Sequence, residues 1–210
     1  MKTQQLNKKI KQFKKVNSDY QEISKRELLN RIIYFLEPDF ICDNVIKDIY
    51  EQLYYYFMED SVRFNGKLKK GLLIMGNFGS GKTLAIEVFQ IFTFLIYKSR
   101  CISFIFNDDI TTSYQEKGIQ GILNFNVDYE IIIDEFGDNI GKQFNYGNSV
   151  NSIDYLLCKR YNMFRYNKIK THIITNLNFD ELQSNISPKL LDRFNEMFNQ
   201  IIFTHESFRK

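Results

Sequence analysis

The chain has 210 residues, 44% hydrophobic and 25% charged, which is one ordinary domain with a short appendage and too little for two catalytic domains. That balance excludes disordered and fibrous classes, no apolar run reaches the roughly 18–20 residues of a membrane-spanning helix, and lysines interrupt every stretch near the N-terminus that could serve as a signal-peptide core. The net charge is only +3, yet Lys2, Lys8, Lys9, Lys11, Lys14 and Lys15 all precede the first acid, Asp19; these six carry +6, which leaves the rest of the chain at −3.

Residues 1–36 read as helical and charged, with Ile10 and Phe13, then Leu28, Leu29, Ile32 and Ile33, supplying apolar stripes. The basic arm at their start is either an attractor for nucleic acid or a solvated terminal helix. Pro38 breaks the pattern. Asp43 is placed to cap a second helix, whose Val45, Ile49, Leu53 and Tyr56 recur at spacings of four, four and three and so share one face. The run Tyr54-Tyr55-Tyr56-Phe57 continues that helix and is expected to pack on the body. In a chain with 20 Phe and 13 Tyr, an aromatic run is weak evidence for base stacking. Asn65-Gly66 is a turn before the first strand.

From Gly71 onward, short apolar runs alternate with longer helical stretches. The strand candidates are residues 72–75, 102–106, 130–133, 172–175 and 200–204. They are apolar without alternation, as expected of strands covered on both faces, and alternation with helices predicts a parallel α/β sheet. Residues 137–147, polar and rich in Gly and Asn, are expected to form a mobile loop. Cys42, Cys101 and Cys158 are odd in number and widely spaced. They indicate neither disulfides nor zinc, and they fit a reducing cytoplasm.

Gly76-Asn77-Phe78-Gly79-Ser80-Gly81-Lys82-Thr83 matches the phosphate-binding pattern G-x-x-x-x-G-K-[ST], after an apolar strand and before a helix. Glycines let successive N–H groups turn inward toward a phosphate, and the helix N-terminus adds positive potential. Lys82 would bridge β- and γ-phosphates, and the Thr83 hydroxyl would ligate Mg²⁺. Ile131-Ile132-Ile133-Asp134-Glu135 follows about 50 residues later: a strand that ends in Asp134, beside the metal shell, and Glu135, able to orient and deprotonate a water. The pair favours nucleotide hydrolysis over a small-molecule kinase. A GTPase would want N-K-x-D, and Asn167-Lys168-Ile169-Lys170 lacks the Asp. A third strand ends in Thr175-Asn176, where the carboxyl edge of a parallel sheet meets its ligand, so Asn176 is a candidate for contact with the γ-phosphate or the water. His172, at the other end of that strand, reads as structural. Ser187-Pro188 starts a helix, with Ser187 as its cap and Pro188 in its first position, and in it Arg193 has Asp192 and Glu196 as ordinary surface partners.

Taken in order, the phosphate loop, Asp134-Glu135, Thr175-Asn176, the Asp192-Arg193 helix and Ser207-Phe208-Arg209 resemble AAA+ ATPases of the DnaC-type helicase-loader group, to which the transposition helper IstB also belongs. The likeness covers about residues 66–210. It implies an open five-stranded parallel sheet in the order 5-1-4-3-2 with flanking helices and no C-terminal lid. Residues 1–65, outside the likeness, read as a small helical, basic segment, expected to bind the partner. It also implies ATP and Mg²⁺ at a site shared between self-associating subunits. In that scheme Asn176 is sensor 1, Arg193 reaches a neighbour's γ-phosphate, and Arg209 aligns with the terminal sensor-2 arginine. Arg160 matches a recurrent arginine ahead of the fourth strand. Ser187-Pro188-Lys189 departs from the usual Gly-x-Arg, which leaves Arg160, Lys189 and Arg193 open as the group acting in trans.

The expected function is ATP-dependent loading of a replicative helicase onto single-stranded DNA. Two alternatives stand beside it: an IstB-like helper acting on duplex DNA with a transposase, and a nucleotide-gated binding switch with little turnover. Lys142, Lys159, Arg165, Lys168 and Lys170 are candidates for DNA contact.

Overall fold

The computed structural model describes residues 2–98, 102–137, 143–145 and 148–204. Three helices come first: α1 (Lys2–Val16), α2 (Lys25–Leu36) and α3 (Asn44–Phe57). The helical reading of residues 1–36 is interrupted at 17–24, where Ser24 caps α2 by accepting from the Glu27 N–H at 3.1 Å. Asp43 caps α3 in the same way through the Ile46 N–H, 2.9 Å. The remaining order is β1 (Gly71–Gly76), α4 (Lys82–Tyr97), β2 (Ser103–Phe106), α5 (Asn107–Lys117), α6 (Ile119–Leu123), β3 (Ile131–Phe136), β4 (Gln143–Asn145), β5 (Asn148–Val150), α7 (Ser152–Asn162), β6 (Thr171–Thr175), α8 (Phe179–Asn185), α9 (Pro188–Met197) and β7 (Phe198–Phe203).

The main sheet is parallel throughout, in the order β2-β3-β6-β1-β7. Counting only its five strands in chain order, this is 5-1-4-3-2, as the resemblance implies. Consecutive strand residues bury on opposite sides, which explains the absence of polar alternation. Leu72, Ile74, Ile132 and Ile174 pack with α1–α4 in one core. Leu73, Met75, Ile133 and Ile173 pack with α5–α9 in the other. The result is a three-layer α/β/α arrangement.

Leu6, Ile10 and Phe13 of α1 lie in the same core as β1 and α4, and Phe13 is fully buried. The packing is therefore continuous across residue 65. Tyr56 and Phe57 are buried, with Phe57 stacked on Phe89 of α4 at 5.1 Å between centroids. The basic residues of α1 turn outward: Lys8, Lys11 and Lys15 are exposed, and Lys9 pairs with Glu87 at 3.0 Å. Of the stretch expected to be a mobile loop, residues 143–145 are strand β4, paired antiparallel with β5; residues 138–142, 146 and 147 lie outside the described residues, and with them Lys142.

Several sequence expectations change. Val45, expected on the buried face of α3, is exposed, and Ile46 is buried there instead. Arg160 is completely buried. Its guanidinium donates to Thr171 Oγ1 (2.9 Å) and to the carbonyls of Val127, Tyr129 (2.9 Å) and Lys170 (3.0 Å). Burial pushes its pKa down to about 10, with Glu130 opposing, so it is still charged at neutral pH. It ties α7 to the starts of β3 and β6 and cannot reach a neighbouring subunit. At the start of α9, Pro188 takes the first helical position as expected, but the Ser187 side chain makes no cap; its backbone N–H is instead held by Asp154 Oδ2 at 3.2 Å.

Candidate functional site

At the carboxyl edge of the sheet, beside the N-terminus of α4, lies a cavity of about 750 Å³, within the usual range of small-molecule sites. Phe78 to Leu84, Asp134, Glu135 and Asn176 line one part of it. The loop geometry follows from its glycines. Gly76 has φ +150°, and a β-carbon there would come within 2.4 Å of the Phe203 carbonyl oxygen. Gly81, the N-cap of α4, is left-handed at φ +91° and offers no capping side chain. The first N–H groups of α4 thus face the cavity without a capping side chain, the arrangement that receives a phosphate.

Lys82 is buried, and its ammonium donates to the carbonyls of Gly76 (2.6 Å) and Asn77 (2.7 Å) and to Asn176 Oδ1 (2.9 Å). The contact joins the phosphate loop to the end of β6. Thr175 sets that end: its buried hydroxyl donates to the Phe136 carbonyl and accepts the Leu177 N–H at 3.0 Å. Asn176 is held where the strand-edge argument expects it. The Thr83 hydroxyl donates to Asp134 Oδ2 at 3.3 Å, which brings together the two expected metal ligands. Both are hard oxygen donors, and among the described residues no group of three or more His, Cys, Asp or Glu could hold a metal. Such a sparse set fits Mg²⁺, which keeps waters and takes further oxygens from phosphates.

Asp134 and Glu135 are consecutive, and in a regular strand they would point to opposite faces. Two local features bring both to the cavity. The β3–β6 register shifts between Ile133 and Phe136, a bulge of the kind that re-aims a side chain. Glu135 itself is left-handed, φ +56°, a conformation costing a non-glycine residue about 1–3 kcal/mol and concentrated at functional sites. Asp134 Oδ1 accepts the Glu135 N–H at 2.8 Å and steadies the turn. Asp134 is buried, whereas Glu135 is exposed to the cavity.

Other expected site residues lie elsewhere. Arg193, half-buried on α9, does not line this cavity; its guanidinium sits over the Tyr161 ring, 4.4 Å from the centroid. The Tyr161 hydroxyl in turn donates to Glu196. Arg209 lies outside the described residues. His172 is buried, its Nδ1 accepting the Leu72 N–H at 3.2 Å, a role in holding the sheet.

The rest of the cavity lining carries no motif. Phe40, Ile41, Ile46 and Tyr50 from the N-terminal segment contribute to it with Ile174 and Phe203, as do the exposed Glu37 and Asp39. Only the terminal position of Phe203 on a parallel strand hints at the site in sequence. The other lining residues come from a region whose pattern shows helices and nothing more.

A scan against protein-family models finds no match, and neither does a search of curated protein sequences. Solved structures do match. The crystal structure of DnaI is similar at 17% identity and TM-score 0.56, over 83% of this chain and 89% of that one. The DnaC helicase loader is similar at 18% identity and TM-score 0.54, over 80% and 94%. The replication initiator DnaA bound to AMPPCP and single-stranded DNA matches at 17% identity and TM-score 0.52, over 80% of this chain and 49% of that one. Strand order, phosphate loop and these likenesses agree: the chain has the AAA+-type P-loop fold, shared with the solved DnaI and DnaC structures.

Proposed function

We propose that the protein binds and hydrolyses ATP and uses it to load a replicative helicase onto single-stranded DNA. The observation that carries the reading is the convergence of Lys82, Thr83, Asp134, Glu135 and Asn176 on one cavity of a fold shared with a helicase loader. The loop N–H groups and Lys82 hold the phosphates and orient the γ-phosphoryl group. Thr83 and Asp134 would hold Mg²⁺, which supplies charge neutralisation to the phosphates when bound. Glu135, facing the cavity, takes a proton from the attacking water, and Asn176 positions that water or a γ-oxygen. Arg193, outside its own subunit's cavity, is available to a neighbour's γ-phosphate in a self-associated form. Arg209 is proposed for the same nucleotide as a sensor. The exposed Lys8, Lys11 and Lys15 on α1 offer a charged face to the helicase, with residues 1–65 as the partner-binding part.

The test is Mg²⁺-dependent ATP turnover with single-stranded or duplex DNA, combined with recruitment of a replicative helicase to a single-stranded circle. Stimulation by single strands, and recruitment lost when Lys8, Lys11 and Lys15 are changed to Glu, is the expected result. A preference for bent duplex with no helicase recruitment would overturn the loader assignment in favour of a transposition helper.

A further inference from the structure

The segments that lead into the strands of a parallel sheet lie at the edge opposite the phosphate loop, and here they are basic. Residues 67–70, 128–130, 163–170 and 195–197 precede β1, β3, β6 and β7. They hold Lys67, Lys69, Lys70, Arg165, Lys168 and Lys170 against Asp128, Glu130 and Glu196, a net +3 on a body that carries −3 after residue 18. Contacts join these segments into one surface. The Lys70 ammonium donates to the Asn195 carbonyl, and its pKa is lowered by burial and then by the charges of Lys67 and Lys69, with Glu196 opposing. Glu196 pairs with Arg165 at 3.3 Å, and the Lys168 ammonium donates to the Arg165 carbonyl at 2.9 Å. Lys170 pairs with Glu130 at 3.8 Å and sits over Tyr56, 5.0 Å from the ring centroid; the Tyr56 hydroxyl donates to the Lys70 carbonyl at 2.7 Å. Lys67, Lys69, Arg165 and Lys168 are exposed.

Two aromatic rings stand out of the same edge: Tyr166 is 82% exposed and Tyr129 46%. Arg165 and Tyr166 belong to a π-helical turn, Met163–Asn167, that follows α7 and is closed by Lys168 in the left-handed region, φ +61°. Such turns are rare and recur at functional sites. A ring left in water forgoes the stabilisation of burial but stays available for stacking. Cations that track a phosphate backbone, interleaved with rings on which bases stack, are the chemistry that holds single strands. The paired bases of a duplex offer no face to such a ring, and an acidic polypeptide brings charge without a base to stack. Resting on the single-strand reading above, we propose that the amino edge of the sheet is a binding surface for single-stranded nucleic acid: Lys67, Lys69, Arg165 and Lys168 contact phosphates, and Tyr166 stacks on a base. The six residues of β1 separate this edge from the phosphate loop by about 20 Å, so strand and nucleotide occupy opposite edges of one sheet.

The experiment measures binding of oligothymidine, a duplex of equal length and polyglutamate to the full chain over a range of salt. It compares wild type with Tyr166→Ala and with a double variant, Lys67→Gln and Lys69→Gln. All three side chains are exposed, so ATP binding and the unfolding temperature should match wild type. Tyr166→Ala should weaken oligothymidine binding about fivefold or more and leave duplex affinity unchanged. The double variant should also weaken it, and should flatten the slope of log affinity against log salt by about 1.4, two phosphate contacts at about 0.7 each. Oligothymidine affinity unchanged in either variant, against a wild type that binds it, overturns the proposal and leaves the single-strand reading standing. Polyglutamate bound as tightly as oligothymidine, with the same losses, overturns it in favour of an acidic protein partner. Wild-type protein that binds no single strand overturns the reading on which the proposal rests.

Discussion

Arg160→Met separates a structural arginine from one acting between subunits. Methionine keeps the unbranched stem and removes the guanidinium. Four acceptors would lose their donor: Thr171 Oγ1 and the carbonyls of Val127, Tyr129 and Lys170. Hydrogen bonds to a charged group contribute about 1.5–3 kcal/mol each. The variant also escapes the cost of burying a guanidinium, a cost visible in the downward shift of the Arg160 pKa. Removing one side of a buried charged network typically leaves a net loss of about 3–5 kcal/mol. At about 2–4 °C per kcal/mol for a chain of this size, the unfolding temperature should fall by about 6–20 °C, measured by circular dichroism or calorimetry. ATP turnover per folded molecule, assayed well below that transition, should stay within a few-fold of wild type. A fall of less than about 2 °C together with abolished turnover would refute the reasoning and return Arg160 to the subunit interface.

Glu135→Gln should retain ATP binding and slow hydrolysis at least about 100-fold, read by single-turnover release of phosphate; hydrolysis near the wild-type rate would move the base elsewhere. Arg193→Ala should hardly change stability, since a half-exposed guanidinium over a ring contributes about 0.5–1 kcal/mol, but it should lose turnover in the self-associated protein. Mixing it with Glu135→Gln should restore part of the activity through composite sites with both groups intact, and no recovery would exclude action in trans. Phe13→Ala should cost about 3–5 kcal/mol in urea unfolding, because α1 is part of the core; a loss under about 1 kcal/mol would mean that α1 detaches independently.

The strands, their parallel arrangement and the phosphate loop are legible because each is a local pattern. An apolar run without alternation records burial on both faces, and glycines at 76, 79 and 81 record a backbone that curls around a ligand. Lys82, Thr83, Asp134 and Asn176 are legible for the same reason, since strand ends in a parallel sheet share one edge. Arg160 was not: an arginine in a helix looks like surface, and only the carbonyls converging from residues 127, 129 and 170 make it a buried tie. Glu135 was legible as a residue but not as a geometry, because consecutive strand residues diverge unless a bulge and a left-handed turn intervene.

The sequence by itself determined the phosphate-loop part of the candidate site, where phosphate binding demands fixed residue types at fixed spacing along a few neighbouring residues. Tertiary structure alone decided the rest of the lining. Phe40, Ile46 and Tyr50 lie well before the loop in the chain and carry no motif, because an apolar lining can be built from many side chains and is specified only by shape. The same folding step put α1 into the core and turned its lysines outward. A run of charge records that a face is solvated; which surface that face adjoins depends on contacts between residues far apart in the chain.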